Sequence, residues 1–225
     1  MNGAMSLLKT LTNNGVDVCF TNPGTSEMHM VAAIGQTGGM RSILSLFEGV
    51  CTGAADGYGR IAGKPACTLL HLGPGLSNGS ANLHNARKAN SPVINLIGDH
   101  ATYHKKYDAP LNSDVIGLAK PVSHWVRSVA DAVSLPGDAA DAVVAANVKP
   151  GQIATLIVPA DCAWDESVEP IAEKEMPAAP RVNELSITKA AEMLGNGKPT
   201  VILMSNLALT EQSLRFADQV AQYSN

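Results

Sequence analysis

Short, fully apolar segments alternate with segments of helical periodicity along most of this 225-residue chain. The apolar segments predict strands at 16–22, 42–47, 66–72, 92–98 and 153–159. Helical segments lie between them, at 3–13, from Pro23 to about Gly35, and at 48–62, 77–89 and 137–147. Short strands without polar alternation are buried on both faces. We therefore expect an α/β fold, a parallel sheet flanked by helices on both faces.

The composition changes near residue 163, where prolines and acidic residues replace the periodic pattern. We interpret 1–165 as one domain, 166–182 as a linker and 183–225 as the start of a second α/β domain. Within that last part, helices are predicted at 183–195 and 209–223, with a strand at 199–205. Three elements bury too little surface to stand alone. We therefore expect the chain to end inside its second domain.

Charge and composition exclude several function classes. The formal net charge is −4 and aromatic residues make up 4% of the chain, which argues against nucleic-acid or anionic membrane partners. No apolar run approaches the length of a membrane span, and no signal peptide is visible. The four cysteines lack zinc-like spacing, which favours buried free thiols and a cytoplasmic location.

Ligands of parallel sheets bind beyond the carboxyl ends of the strands, and the first predicted strand ends in an unusual sequence. Asn22 is followed by Pro23, Gly24, Thr25 and Ser26, a rigid turn with two hydroxyl groups at a helix start. Taken alone, this segment reads as a turn whose hydroxyl groups cap the helix. It becomes a candidate site only in combination with its neighbours.

Glu48 follows the second predicted strand and opens the segment EGVCTGAADGYGR. A carboxylate in the first turn of a helix is stabilised by the helix dipole, which is the simplest interpretation. However, a helix so rich in glycine and alanine has a poor intrinsic propensity. Small residues at this density indicate that the helix backbone packs closely against a partner subunit or a flat ligand.

His71 ends the third predicted strand and precedes the glycine-rich turn GPGLSNG. It is either a core histidine or a residue that faces a ligand. The turn lacks the spacing of a dinucleotide loop and the lysine of an NTPase loop. His100 and His104 follow the next strand and could share one helical face for a metal, but they lack an HExxH pattern, so we favour loop or substrate-facing histidines. No GxSxG elbow indicates a hydrolase.

Together these segments resemble the pyrimidine-binding, N-terminal domain of thiamine-diphosphate-dependent enzymes, in particular the acetolactate synthase and benzoylformate decarboxylase group. The resemblance is carried by FTNPGTSE at 20–27, LFEGVCTGAADGYGRIAGKPA at 46–66 and LLHLGPGLSNGSANLHNARKANSPVINLIGD at 69–99. It covers essentially residues 1–165, and 183–225 resembles the start of that family's middle domain.

The resemblance implies a role for each matching residue. Glu48 would hydrogen-bond the aminopyrimidine ring, while Pro23, Gly24 and Asn78 would line its pocket. Thr25 and His71 would face the substrate, a 2-oxo acid for which the cofactor acts as electron sink. Glu48 and His71 are thus the candidate catalytic residues. His71 is typical of the decarboxylase branch, whereas GPGLSN is closer to the acetolactate synthases, so decarboxylation and carboligation both stay open.

The sequence also lacks something that the family has. In the family, a GDG motif and a later asparagine in a C-terminal domain hold the diphosphate and Mg²⁺. Neither has a match in this sequence, and Gly98-Asp99-His100 does not supply the motif. The resemblance therefore implies half of a site shared between subunits of a homodimer or tetramer, and an isolated chain without activity. The need for FAD is undecided. A non-catalytic binding or regulatory module and one chain of a split enzyme are the alternative interpretations.

Overall fold

The computed structural model describes residues 1–224, with only the backbone of Leu207. It divides into two compact units, Met1–Pro177 and a second that begins at Ala178. In the part that the structure describes, no helix is both long and apolar enough to cross a membrane.

The first unit is built on a sheet of six parallel strands in the order β2-β1-β3-β4-β6-β5. The strands are β1 Val18–Asn22, β2 Arg41–Leu44, β3 Ala66–His71, β4 Val93–Asp99, β5 Trp125–Ser128 and β6 Ile153–Pro159. All residues of β4 and β6 are buried, as the uninterrupted apolar pattern predicts. The parallel α/β sheet expected from the sequence is thus confirmed.

Helices cover both faces of this sheet. Those of the first unit are α1 Gly3–Asn13, α2 Met28–Thr37, α3 Glu48–Ala62, α4 Leu72–Lys88, α5 Val115–Ala119, α6 Leu135–Asn147 and α7 Ala160–Trp164. Leu69 belongs to the buried cluster with α1 and α6, whereas its neighbour Leu70 belongs to the cluster with α3 and α4. Successive residues of a strand point to opposite faces, so each strand contributes to two cores. A fully buried leucine stabilises the fold by about 1.5–3 kcal/mol.

The sheet and the helix after β3 differ from the sequence prediction at several points. The glycine-rich segment after β3 is the beginning of α4 rather than a turn. Gly75 lets this helix lie close to β3, since a Cβ atom added at Gly75 would be only 3.3 Å from the carbonyl carbon of Leu70. β2 is shorter than predicted and mostly exposed, because it is an edge strand that pairs with β1 alone. β5 was not predicted, since its four residues contain no apolar run.

The segment that follows α7 packs along α1 as far as Pro177. Ser6 Oγ donates a hydrogen bond to the carbonyl oxygen of Val168 at 2.8 Å, and the N–H of Ile171 donates to Thr10 Oγ1 at 3.0 Å. Much of the predicted linker is therefore attached to the first unit.

The described residues of the second unit form two α-helices, α8 Glu184–Leu194 and α9 Glu211–Ser224. Both were predicted, but 199–205 forms no strand in the structure. A parallel strand needs a neighbour to pair with its backbone, and the described residues of this unit offer none. Its apolar side chains, such as Val201 and Leu203, are correspondingly exposed.

Candidate active site

The candidate residues lie at one edge of the sheet, where β2, β1 and β3 end side by side. In the register of the sheet, Thr21 pairs with Leu44, and Asn22 pairs with Leu70. The loop with Pro23 and Gly24 therefore emerges next to His71. Glu48 begins α3, shortly after the end of β2.

Glu48 is held by Asn78 across two helices. The amide nitrogen Nδ2 of Asn78 donates a hydrogen bond to Glu48 Oε2 at 3.1 Å. Glu48 is half-buried at the first position of α3, where the helix dipole favours a negative charge. Its other oxygen, Oε1, has no hydrogen-bond partner among the described residues. The carboxylate is thus oriented on one side and available on the other.

Small residues let α3 and α4 approach closely enough for this contact. Thr52 Oγ1 donates to the carbonyl oxygen of Gly79 at 2.9 Å, and Asn82 Nδ2 donates to that of Gly49 at 2.7 Å. A Cβ atom at Gly79 would lie 2.8 Å from Thr52 Cγ2, closer than such atoms approach. The small residues of α3 therefore serve the contact between these two helices, which places Asn78 beside Glu48.

His71 stands at the junction of β3 and α4. The next residue, Leu72, is fully buried and adopts a φ of 45°, which is rare for a leucine. Such a conformation costs about 1–3 kcal/mol and persists only where the surrounding structure enforces it. The sharp turn leaves His71 at the strand end, with 20% of its side chain exposed.

Glu27, which the sequence analysis did not single out, holds this histidine. Its side chain is fully buried, and Oε2 lies 2.8 Å from His71 Nδ1 and 2.6 Å from the backbone nitrogen of Gly24. Oε1 is buried without a partner in the described residues. Burial raises the pKa of Glu27, and the contacts with Gly24 and His71 only partly oppose this effect.

Two glycines make room for this pair of side chains. A Cβ at Gly24 would collide with the imidazole ring of His71, and one at Gly98 would collide with Oε1 of Glu27. Gly98 lies directly opposite His71 in the β3–β4 register. These two glycines are the signals in the sequence that could have pointed to a buried side chain at Glu27.

Thr25 is exposed and borders a shallow cavity of about 190 Å³, which His100, His104 and Trp164 also line. The two imidazole rings lie 5.3 Å apart. Among residues 1–224, no group of three or more histidine, cysteine or acidic side chains is arranged to hold a metal ion.

All four cysteines are free and buried, as expected. Cys51, one turn after Glu48 in α3, has a raised pKa because of its burial. Cys162 shows the same effect, which raises its pKa to about 12. Neutral, buried thiols of this kind act as apolar side chains.

A comparison with protein families decides the identity of this fold. Residues 1–135 match the family described as thiamine pyrophosphate enzyme, N-terminal TPP binding domain. The chain belongs to this family. Membership in this family accounts for the resemblance of the segments that contain Glu48 and His71.

Individual relatives agree with this assignment. A Mycobacterium tuberculosis (strain H37Rv) protein that carries the name of an acetolactate synthase large subunit, IlvX, is 51% identical over 99% of this chain and 42% of its own length. A benzoylformate decarboxylase from Pseudomonas aeruginosa is 28% identical over 86% of this chain and 37% of its own. The chain therefore spans about two fifths of these relatives.

A solved structure shows the same fold. The thiamine diphosphate-dependent 4-hydroxybenzoylformate decarboxylase of Rhodococcus jostii superposes with a TM-score of 0.78 at 23% identity, over 87% of this chain and 38% of that one.

Proposed function

We propose that this chain supplies the aminopyrimidine-binding half of a thiamine diphosphate site in an enzyme that acts on a 2-oxo acid. Membership in the thiamine pyrophosphate enzyme family supports the cofactor. Relatives named as acetolactate synthases and as a benzoylformate decarboxylase support this substrate class.

The observation that carries the proposal is the carboxylate of Glu48. Asn78 fixes one of its oxygens, and no described residue occupies the other. A carboxylate held in this way at a helix start can form a charge-assisted hydrogen bond with a ring nitrogen. The residues present therefore fit an aminopyrimidine.

The chemistry divides between the cofactor and the residues of this chain. Thiamine diphosphate, when bound, supplies an electron sink for cleavage or formation of the bond next to a carbonyl group. Glu48 would hold the pyrimidine ring through a hydrogen bond to a ring nitrogen, and Pro23 and Gly24 would border the ring. His71 exchanges a proton with the substrate, and Thr25 contacts it. Decarboxylation and carboligation both use these residues, so the reaction type is not part of the proposal.

The other half of the site lies outside these residues in our proposal. The described part of the chain contains no acidic cluster for a metal ion, and its sequence has no GDG motif that would hold diphosphate and Mg²⁺. The exposed side chains of Leu46, Phe47 and Val50 surround Glu48 in sequence and form an apolar surface that a second copy would cover. We thus propose a homo-oligomer with a shared site.

We also propose the domain assignment made from the sequence, with residues 1–165 as the pyrimidine-binding domain. The segment 166–177 is attached to this domain along α1, and the part that begins at 183 belongs to a second domain.

The test uses thiamine, which carries the aminopyrimidine ring without the diphosphate, and follows the amide signals of the chain by NMR. We expect saturable shifts at Gly24 and Gly49. Glu48→Gln should weaken binding about tenfold to a hundredfold, because a hydrogen bond to a charged group contributes about 1.5–3 kcal/mol. Glu175→Gln changes an exposed carboxylate and is the matched control. Equal affinity of both variants would contradict the proposal.

A further inference from the structure

The hydrogen bonds of Glu27 determine which nitrogen of His71 carries the ring proton. Oε2 of Glu27 lies 2.6 Å from the backbone nitrogen of Gly24. A backbone N–H can only donate, so Oε2 accepts this bond, and its short length is typical of a bond to an ionised oxygen.

His71 Nδ1 lies 2.8 Å from the same oxygen. An ionised Oε2 can only accept, so Nδ1 is the donor, and the proton of the neutral imidazole ring lies on Nδ1. The other nitrogen, Nε2, then has a free lone pair and makes no hydrogen bond with the described residues. A proton on Glu27 itself would be located on Oε1, and it would leave this arrangement unchanged.

We infer that Glu27 is a positioning residue, which fixes the ring proton of His71 on Nδ1 and thereby makes Nε2 the nitrogen that exchanges protons with the substrate. The second part of this inference rests on the proposed function. The carboxylate does not touch the substrate in this scheme, since it is fully buried behind the histidine. It selects the tautomer and holds the plane of the ring against Gly24.

The strand-end glycines support this assignment. Oε1 of Glu27 is in the space that a side chain at position 98 would fill, and the ring of His71 is in the space of one at position 24. Both residues of the pair are thus enclosed by backbone, so their separation is fixed by β3, β4 and the loop after β1. A carboxylate that served only to anchor that loop through Gly24 would not need His71.

The chain contains an internal reference with the opposite tautomer. Nδ1 of His124 accepts a hydrogen bond from the N–H of Ile153 at 3.0 Å. The proton of its neutral ring is therefore on Nε2. Burial lowers the pKa of His124, with a smaller effect from Arg87, which favours the neutral form of this ring.

The experiment records the ring nitrogen signals of ¹⁵N-histidine-labelled full chain at about pH 8.5, two units above the ordinary histidine pKa. In the wild type we expect a protonated, pyrrole-like Nδ1 for His71 and the reverse pattern for His124. Glu27→Gln keeps an acceptor for Nδ1 and should preserve the His71 pattern. In Glu27→Met the side chain has a similar volume but no hydrogen-bond acceptor. The His71 signals should then lose the wild-type pattern, while those of His124 should keep it.

A wild-type spectrum with the proton of His71 on Nε2 overturns the inference, even if no variant folds. A Glu27→Met spectrum that keeps the wild-type pattern overturns the role of Glu27. None of these measurements needs a cofactor. Failure of thiamine binding would contradict the proposed function alone and leave the tautomer assignment in place.

Discussion

Gly98→Ala adds a single methyl group at the point where the sheet contacts the buried carboxylate of Glu27. A Cβ at this position would overlap Oε1, and the surrounding strand cannot move away because β4 is paired on both sides. The side chain of Glu27 must therefore leave its place. This breaks its hydrogen bonds with His71 Nδ1, at 2.8 Å, and with the nitrogen of Gly24, at 2.6 Å.

The magnitude follows from these two contacts. Each hydrogen bond with a charged partner contributes about 1.5–3 kcal/mol, so their loss destabilises the fold by about 3–6 kcal/mol. Part of this is recovered, because burial raises the pKa of Glu27 and a carboxylate that moves toward water loses this penalty. We therefore expect the free energy of unfolding to fall by an amount near the lower end of this range, about 3 kcal/mol, which is a large effect for a point mutation.

Urea unfolding followed by tryptophan fluorescence measures this change. The chain has two tryptophans, Trp125 and Trp164, and both lie in the first unit. Gly57→Ala is the matched control, since an added Cβ there contacts nothing within 4 Å inside α3. This control should stabilise the unit by about 0.5–1 kcal/mol through its helix propensity.

An unfolding free energy of Gly98→Ala within about 0.5 kcal/mol of the wild type, the usual range of neutral substitutions, would refute the reasoning. It would mean that Glu27 is not tied to His71 and Gly24. A loss of stability that leaves the His71 tautomer unchanged would show that the collision is relieved elsewhere.

Two further predictions concern the same site. The pKa of Glu27 is raised above the ordinary 4.5 by burial, so over the interval between the two values the folded chain binds more protons than the unfolded one, and the stability that Glu27 contributes falls as the pH rises. The unfolding free energy of the wild type minus that of Glu27→Gln should therefore fall as the pH is raised from below 4.5, measured by urea unfolding at a series of pH values. A difference that does not depend on pH would contradict the effect of burial on Glu27. Asn78→Ala removes the donor to Glu48 and should weaken thiamine binding by about 0.5–1.5 kcal/mol, with Asn85→Ala, an exposed residue of the same helix, as control; equal affinities would mean that Asn78 does not orient the carboxylate.

The elements that the sequence predicts best are those whose signals are local. The bounds of α1, α3 and β6 agree with the prediction, because each has an uninterrupted periodic or apolar pattern between glycines, prolines or polar residues. The start of α4 was wrong by several residues, since Gly73 and Gly75 are typical of turns in isolation. Their role in this helix depends on tertiary neighbours such as Leu70.

The same distinction explains what was missed in the site. Glu48, Asn78 and His71 could be chosen from their segments, because each segment has a recognisable motif. Glu27 could not, since its burial depends on Gly98, a residue of β4 that is distant in the sequence. Acidic residues are rarely buried without a partner, so sequence reasoning assigns such a residue to the surface by default. The strand predicted at 199–205 was wrong for a related reason. Its residues favour a strand, but the described residues of the second unit contain no strand with which it could pair.

The central claim is that Glu48 receives the aminopyrimidine ring, and a crystal structure of the chain with bound thiamine tests it most directly. The account predicts a ring nitrogen about 2.6–3.2 Å from a carboxylate oxygen of Glu48, with Asn78 still bonded to the other oxygen. A ring bound elsewhere on the chain, with Glu48 in contact with Asn78 alone, would contradict it.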